Sequence, residues 1–158
     1  MAPKHWLIKS EPSTYSIEDL ARDRTTEWSG VRNYKARNYM RDEMRPGDGL
    51  LFYHSSTDLL GVYGIAEVAT AAHPDSTQFE KGSHYHDPDS DPDDPRWWCV
   101  DVRHVDTFEV PVTRDTLKST PGLAGMGVLK RGMRLSVIRV TPDEFEIVRR
   151  LGAGDRSR

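Results

Sequence analysis

Short apolar runs alternate with polar, turn-rich breaks along this chain, and the spacing of the apolar positions predicts a mixed set of elements. Residues 5–10 read as a strand. Residues 16–23 read as a short helix, with Ser16 placed to cap it and Ile17, Leu20 and Ala21 on one face. Residues 33–44 predict a second helix, in which Ala36, Met40 and Met44 recur every fourth position until Pro46-Gly47-Asp48 turns the chain. The continuous apolar run Leu50 to His54 predicts a buried strand, and residues 61–68 another, with Gly64 allowing a bulge or a close backbone approach. Residues 98–105 and 133–140 alternate in part and predict two further strands.

Thr113 is placed to cap a short helix over 114–118. Thr141-Pro142-Asp143-Glu144 is a stronger helix start, with a threonine cap, a proline at the first position and a glutamate three residues after the cap. Ile147, Val148 and Leu151 supply that helix with a buried face, whereas 152–158 have nothing to bury and are expected to fray. The connection 73–96 is rich in Pro, Asp, Ser and His, and a loop of that length is either functional or mobile. The sequence has no internal repeat. Five or six strands with short helices between them predict one α+β domain over residues 1–151, built on a curved or barrel-like sheet.

At 158 residues the chain is long enough to bury a core without disulfides or a structural metal. Cys99 is its single cysteine, which rules out an intrachain disulfide and suits a reducing cytoplasmic or nuclear compartment. No apolar stretch reaches the roughly 18–20 residues a membrane helix needs, and the N-terminus runs straight into strand pattern without room for a signal peptide. The net charge of −3 conceals an asymmetry. Asp87, Asp89, Asp91, Asp93 and Asp94 lie in one proline-broken run and outweigh it, so the remainder of the chain is net positive. Arg32, Lys35, Arg37, Arg41 and Arg45 crowd one segment, and from Lys130 onward eight Lys/Arg face four Asp/Glu. A local basic face of this kind binds phosphate even on an acidic protein.

The chain carries few patterns of catalytic chemistry. Gly122, Gly125 and Gly127 lack the order and the strand-to-helix setting of a phosphate loop. His54 beside Ser55 and Ser56 has no nucleophile-elbow pattern around it. His84 and His86 near Asp87 match no established metal spacing, and no cofactor is expected. The more informative stretches are Trp6-Leu7-Ile8-Lys9-Ser10-Glu11-Pro12 and Trp28-Ser29-Gly30-Val31-Arg32-Asn33-Tyr34-Lys35-Ala36-Arg37-Asn38. Each sets an aromatic beside small polar groups and cations, which is what stacking a heterocycle and reading its edge requires. Trp28 is the proposed stacking face, opposed by Tyr53, Phe79 or Tyr85. Lys9, Ser10, Glu11, Ser29 and Asn33 are candidates for the base edge. Arg32, Lys35, Arg37, Lys130, Arg131 and Arg134 are candidates for phosphate, where cations position a ligand without specifying it.

Those two stretches, together with PGDGLLFYHS at 46–55, HPDSTQF at 73–79, RWWCVDV at 96–102 and RLSV at 134–137, closely resemble the EVE domain family over residues 4 to about 151. The resemblance implies a PUA-like mixed β pseudobarrel with short flanking helices, and an association with modified cytosine. A fainter likeness to the YTH family, which holds N6-methyladenine in an aromatic cage, falls on Lys9, Ser10, Trp28 and Ser29. The second cage aromatic does not carry over. The expectation is a non-enzymatic, monomeric reader of a modified base in DNA or RNA. Its rivals are an enzyme acting on a modified nucleoside and an adaptor that offers its basic face to an acidic protein.

Overall fold

The structure, a computed structural model, describes residues 3–154. Among these residues eight strands and four α-helices follow one another as β1 (His5–Ser10), α1 (Ile17–Asp23), β2 (Thr25–Glu27), α2 (Tyr34–Asn38), β3 (Gly49–His54), β4 (Gly61–Val68), β5 (His73–Pro74), β6 (Trp98–Cys99), β7 (Asp101–Thr113), α3 (Arg114–Ser119), β8 (Val137–Val140) and α4 (Pro142–Gly152). Six strands form one curled sheet in the order β2-β7-β4-β3-β1-β8, and β5 and β6 form a small second sheet. Within the large sheet β1 runs parallel to β3 and every other pairing is antiparallel. Register shifts between β4 and β7, and again between β3 and β4, bend the sheet. Such bulges increase local twist, which is how a short sheet curls towards a barrel. The architecture is α+β, a PUA-like half-barrel flanked by short helices.

The central strands are buried on both faces, so their alternation distributes side chains between two cores. Trp6, Ile8, Leu50 and Phe52 enter one core with Ile17, Leu20, Ala36, Met40 and Trp28. Leu7, Leu51 and Tyr53 enter the other with Leu117, Leu123 and Val148. The first core therefore rests on α1 and α2, the second on α3 and α4. Asp48 pins the start of β3 from inside: it is buried and accepts from Lys4 N at 3.0 Å, Arg45 N at 3.0 Å and Trp6 Nε1 at 3.1 Å.

The helix starts follow their sequence signals. Ser16 and Asp19 form a reciprocal capping box on α1, and Thr141 and Glu144 form one on α4. Thr113 caps α3.

Elsewhere the structure corrects the expected boundaries. The predicted helix over 33–44 is α2 followed by a π-helical turn at Tyr39–Glu43, which still buries Met40. The predicted strand over 98–105 divides into β6 and the much longer β7. Of the predicted strand over 133–140 only β8 is regular. Gly152 is not frayed: it closes α4, and a Cβ there would collide with the ring of Phe108. Ala153 and Gly154 form a turn after it, and the rest of the expected fraying tail, 155–158, lies outside the described residues.

The connection 73–96 is folded rather than loose. Asp75 and Gln78 are buried within it. Gln78 Nε2 donates to the carbonyls of Asp75 and Trp97, each at 2.8 Å, and its Oε1 accepts from Ser90 Oγ at 2.6 Å and Trp97 N at 3.0 Å. Asp87 accepts from Trp97 Nε1 at 2.7 Å and pairs with Arg96 at 3.2 Å. Polar side chains thus do here what apolar ones do in the two cores.

Candidate nucleic-acid interface

A cavity of about 690 Å³ opens where β1 and β3 end side by side and the chain leaves β2. Its lining includes Lys9, Ser10, Glu11, Trp28, Ser29, Arg32, Asn33, Tyr85 and Arg134 from the sequence-derived candidates. Residues as far apart as Lys9 and Arg134 reach it because β1 pairs with β8, and Ser136 O accepts from Lys9 N at 2.9 Å.

Trp28 stands at the back of the cavity, 8% exposed. Its backbone N–H donates to Val100 O at 3.0 Å, which continues the β2–β7 pairing by one residue. Phe52 and Tyr15 hold its ring from two sides in edge-to-face contacts, with centroids 5.5 Å and 6.3 Å away. Such contacts fix the plane of an indole without needing a partner stacked on its face. Tyr15 lines the cavity too, and its hydroxyl donates to Asp23 at 2.8 Å. Burial and that bond push its pKa up to about 12, so it stays protonated.

Tyr85 comes from the long connection and reaches the cavity because of one glycine. Gly30 has φ +86°, and a Cβ there would lie 2.7 Å from ring atoms of Tyr85. Only a residue without a side chain allows both that backbone conformation and that approach. Gly30 N–H in turn donates to Asp75 Oδ2 at 2.7 Å.

Arg32 clamps the same connection. Its guanidinium donates to Asp75 Oδ2 at 3.1 Å, Thr77 Oγ1 at 3.2 Å and Tyr85 O at 2.7 Å. It also lies over the rings of Tyr85 and Trp97, 5.7 Å and 5.1 Å from their centroids. Burial would raise the Asp75 pKa, but hydrogen bonds from Thr77, Gly30 and Arg32 hold it below the usual carboxylate range. Both ends of the Arg32 fork are therefore engaged internally, so its geometry is that of a bracket rather than of a free phosphate contact.

Several other candidates are placed differently from the sequence reading. Tyr53 is 2% exposed and belongs to the second core, because strand alternation sends it away from Phe52 and Trp28. Phe79 is exposed and does not line the cavity. Of the three candidate partners for Trp28, Tyr85 alone lines it. Lys35, Lys130 and Arg131 are exposed and outside it, and Arg37 ties α2 to the connection by donating to Arg96 O at 2.7 Å. Asn33 lines the cavity, but its Oδ1 is spent capping α2 through Ala36 N at 3.0 Å. Arg134 is exposed at the rim. Lys9 lines the cavity with its Nζ 3.4 Å from Met133 O, and burial followed by the charge of Arg114 lowers its pKa.

The sequence reading missed Tyr15, Glu27, Ser55 and Ser136. Ser55 comes to the cavity because β1 and β3 are parallel, with Ser55 N donating to Ser10 O at 3.0 Å, a pairing that adjacent apolar runs do not reveal.

Glu27 and its cross-strand partner Asp101 flank His73, whose Nε2 lies 2.8 Å from Asp101 Oδ1 and whose Nδ1 lies 3.8 Å from Glu27 Oε2. Burial lowers the His73 pKa, but hydrogen bonds to the Pro74 carbonyl and Asp101 and the charges of Asp101 and Glu27 outweigh it, leaving the net shift upward. Cys99 completes a trio of potential metal-ligating atoms within 4.8 Å of one another. Burial pushes that thiol far up, so the trio sets a neutral thiol, a poor metal ligand, beside the imidazole.

A curled PUA-like sheet defines the class, and the EVE domain family profile matches residues 4–151: the chain belongs to the EVE domain family. Human thymocyte nuclear protein 1 is 39% identical over 162 residues, covering 91% of this chain and 72% of that protein. A protein of Leishmania major superposes with a TM-score of 0.92 at 41% identity, covering 98% of each chain. The human THYN1 protein in complex with 5-methylcytosine-containing DNA superposes with a TM-score of 0.85 at 36% identity, covering 98% of this chain and 99% of that one.

Proposed function

We propose that this protein is a non-enzymatic, monomeric reader of a modified base, with 5-methylcytosine in DNA the first ligand to test. One base enters the cavity and stacks between Trp28 and Tyr85. The observation that carries this reading is the cavity itself, where two aromatic rings on separate segments meet a rim of small polar groups and cations. The human relative's complex with 5-methylcytosine DNA favours the same ligand. A reducing compartment, cytoplasmic or nuclear, is where such a protein meets nucleic acid.

Magnitudes set how it works. Stacking contributes about 1–3 kcal/mol per base, whereas extrusion from a duplex costs a few kcal/mol. A single strand is therefore bound more tightly than a duplex unless phosphate contacts add the difference; Arg134, a phosphate candidate, and Lys9, a base-edge candidate, are cations that line the cavity. One buried methyl contributes about 0.8 kcal/mol, roughly a fourfold preference over unmodified cytosine.

The test is a titration with short DNA and RNA single strands carrying cytosine, 5-methylcytosine, 5-hydroxymethylcytosine or N6-methyladenine, followed by tryptophan fluorescence at two salt concentrations. Quenching that favours one modified base and survives added salt supports the reading. Binding that ignores the modification and disappears with salt refutes it and favours the basic-face adaptor.

A further inference from the structure

We infer that Glu27 selects the class of base: its carboxylate accepts from an exocyclic amine, so the pocket takes cytosine-like or adenine-like bases and disfavours thymine and uracil. This rests on the proposed entry of a base beside Trp28.

Glu27 is the last residue of β2, directly precedes Trp28, and lines the cavity. Its carboxylate is held in place. Oε1 accepts from Ser76 Oγ at 2.7 Å and Ser76 N at 3.3 Å, and the His73 imidazole stands 3.8 Å from Oε2. That imidazole is itself fixed by Asp101 at 2.8 Å. Among the described residues Oε2 accepts no hydrogen bond, so an acceptor site stays open on a group whose other oxygen is anchored.

An ionised carboxylate only accepts. Cytosine N4 and adenine N6 each offer an amino donor, whereas thymine and uracil place a carbonyl oxygen at the corresponding position. Facing that oxygen, the Glu27 carboxylate meets a second acceptor and loses its solvation without compensation. Glu11 is the other carboxylate in the lining, but it is exposed and no side-chain hydrogen bond anchors it among the described residues. The serine hydroxyls around the cavity both donate and accept, so they do not impose this choice.

The test uses three single strands identical except at one central base: 5-methylcytosine, thymine and 5-methyl-2-pyrimidinone. All three carry the same methyl group, and only the first has the amine. Wild-type protein is expected to bind the 5-methylcytosine strand about tenfold or more tightly than the other two, the discrimination a good edge contact provides. Glu27→Gln is expected to narrow both ratios to within about threefold, and Ser76→Ala, which frees Oε1, to narrow them in part. Thermal melts identify any variant that fails to fold, and Ser76→Ala then carries the test alone. Ratios unchanged in the folded variants overturn the role of Glu27 while leaving the pocket standing, provided Trp28→Ala weakens binding to all three strands. If Trp28→Ala binds all three strands as the wild type does, the pocket reading and this inference fall together.

Discussion

Gly30 lies so close beneath Tyr85 that a single added methyl would sit 2.7 Å from the ring. The contact joins the segment after β2 to the long connection and sets where one wall of the cavity stands. Gly30→Ala has two effects. The positive φ of +86° becomes strained, at about 1–2 kcal/mol, and Tyr85 must move outward. A thermal melt should show a fall of a few degrees. Affinity for a 5-methylcytosine strand should fall about tenfold, since one stacking face is displaced. Intact affinity in this variant would show that Tyr85 does not form part of the site.

Asp75 and Arg32 are the fastening beneath that wall. Asp75 is 2% exposed in its side chain, so Asp75→Ala leaves Arg32 without its anion and Gly30 N–H without its acceptor. Breaking such a pair from one side costs about 3–5 kcal/mol. Chemical denaturation should show that loss, and the double variant with Arg32→Met should lose less than the two single variants combined. Additive losses would mean that the pair is not coupled.

Salt dependence separates the cations. Arg134 is exposed at the rim, whereas the Arg32 guanidinium is bonded to Asp75, Thr77 and Tyr85. Arg134→Ala should weaken binding to all strands alike and lower the slope of log affinity against log salt by about 0.7, one phosphate contact on a single strand. Arg32→Ala should weaken binding by loosening the wall while leaving that slope unchanged. A reduced slope in the Arg32 variant would return Arg32 to the phosphate contacts.

His54 makes stability depend on pH. It is buried, stacks on Tyr63 at 3.9 Å, and its Nε2 accepts from Ile17 N at 3.1 Å, at the start of α1. Burial lowers its pKa to about 4. An unfolded histidine takes up its proton near pH 6.5. Between these values the unfolded state binds more protons, so stability conferred by the neutral ring is complete above pH 6.5 and is lost as pH falls towards 4. The loss amounts to roughly 2–4 kcal/mol. Denaturation at pH 7 and pH 5 should show wild type losing more stability than His54→Gln. Equal losses in both would contradict the assignment.

Much of the fold is written locally, and the unread part is written at long range. The boxes at Ser16–Asp19 and Thr141–Glu144 are complete within four residues, and both helices start where those residues place them. Trp6, Leu50 and Phe52 are apolar in apolar runs and are buried as such. Tyr53 shows the limit: an apolar run predicts burial but not which of two cores a given side chain enters. The connection 73–96 shows another. Asp75, Gln78 and Asp87 organise it through hydrogen bonds to residues as distant as Gly30 and Trp97, and a run of polar residues does not distinguish that network from a solvated loop. That Trp28 lines the cavity was suggested by its neighbours Ser29 and Gly30, although the same residue also packs into the first core. Glu27 was not legible, because its anchor, Ser76, is supplied by that unread loop.

The central claim is that a base stacks on Trp28. Its most direct test is the dissociation constant of a fluorescently labelled single strand with one 5-methylcytosine, measured by anisotropy at moderate salt for wild type and for Trp28→Ala. Loss of one stacking face predicts a weakening of about fivefold or more, with the gap between modified and unmodified strands closing. Equal affinities in the two proteins, with the gap preserved, would contradict it.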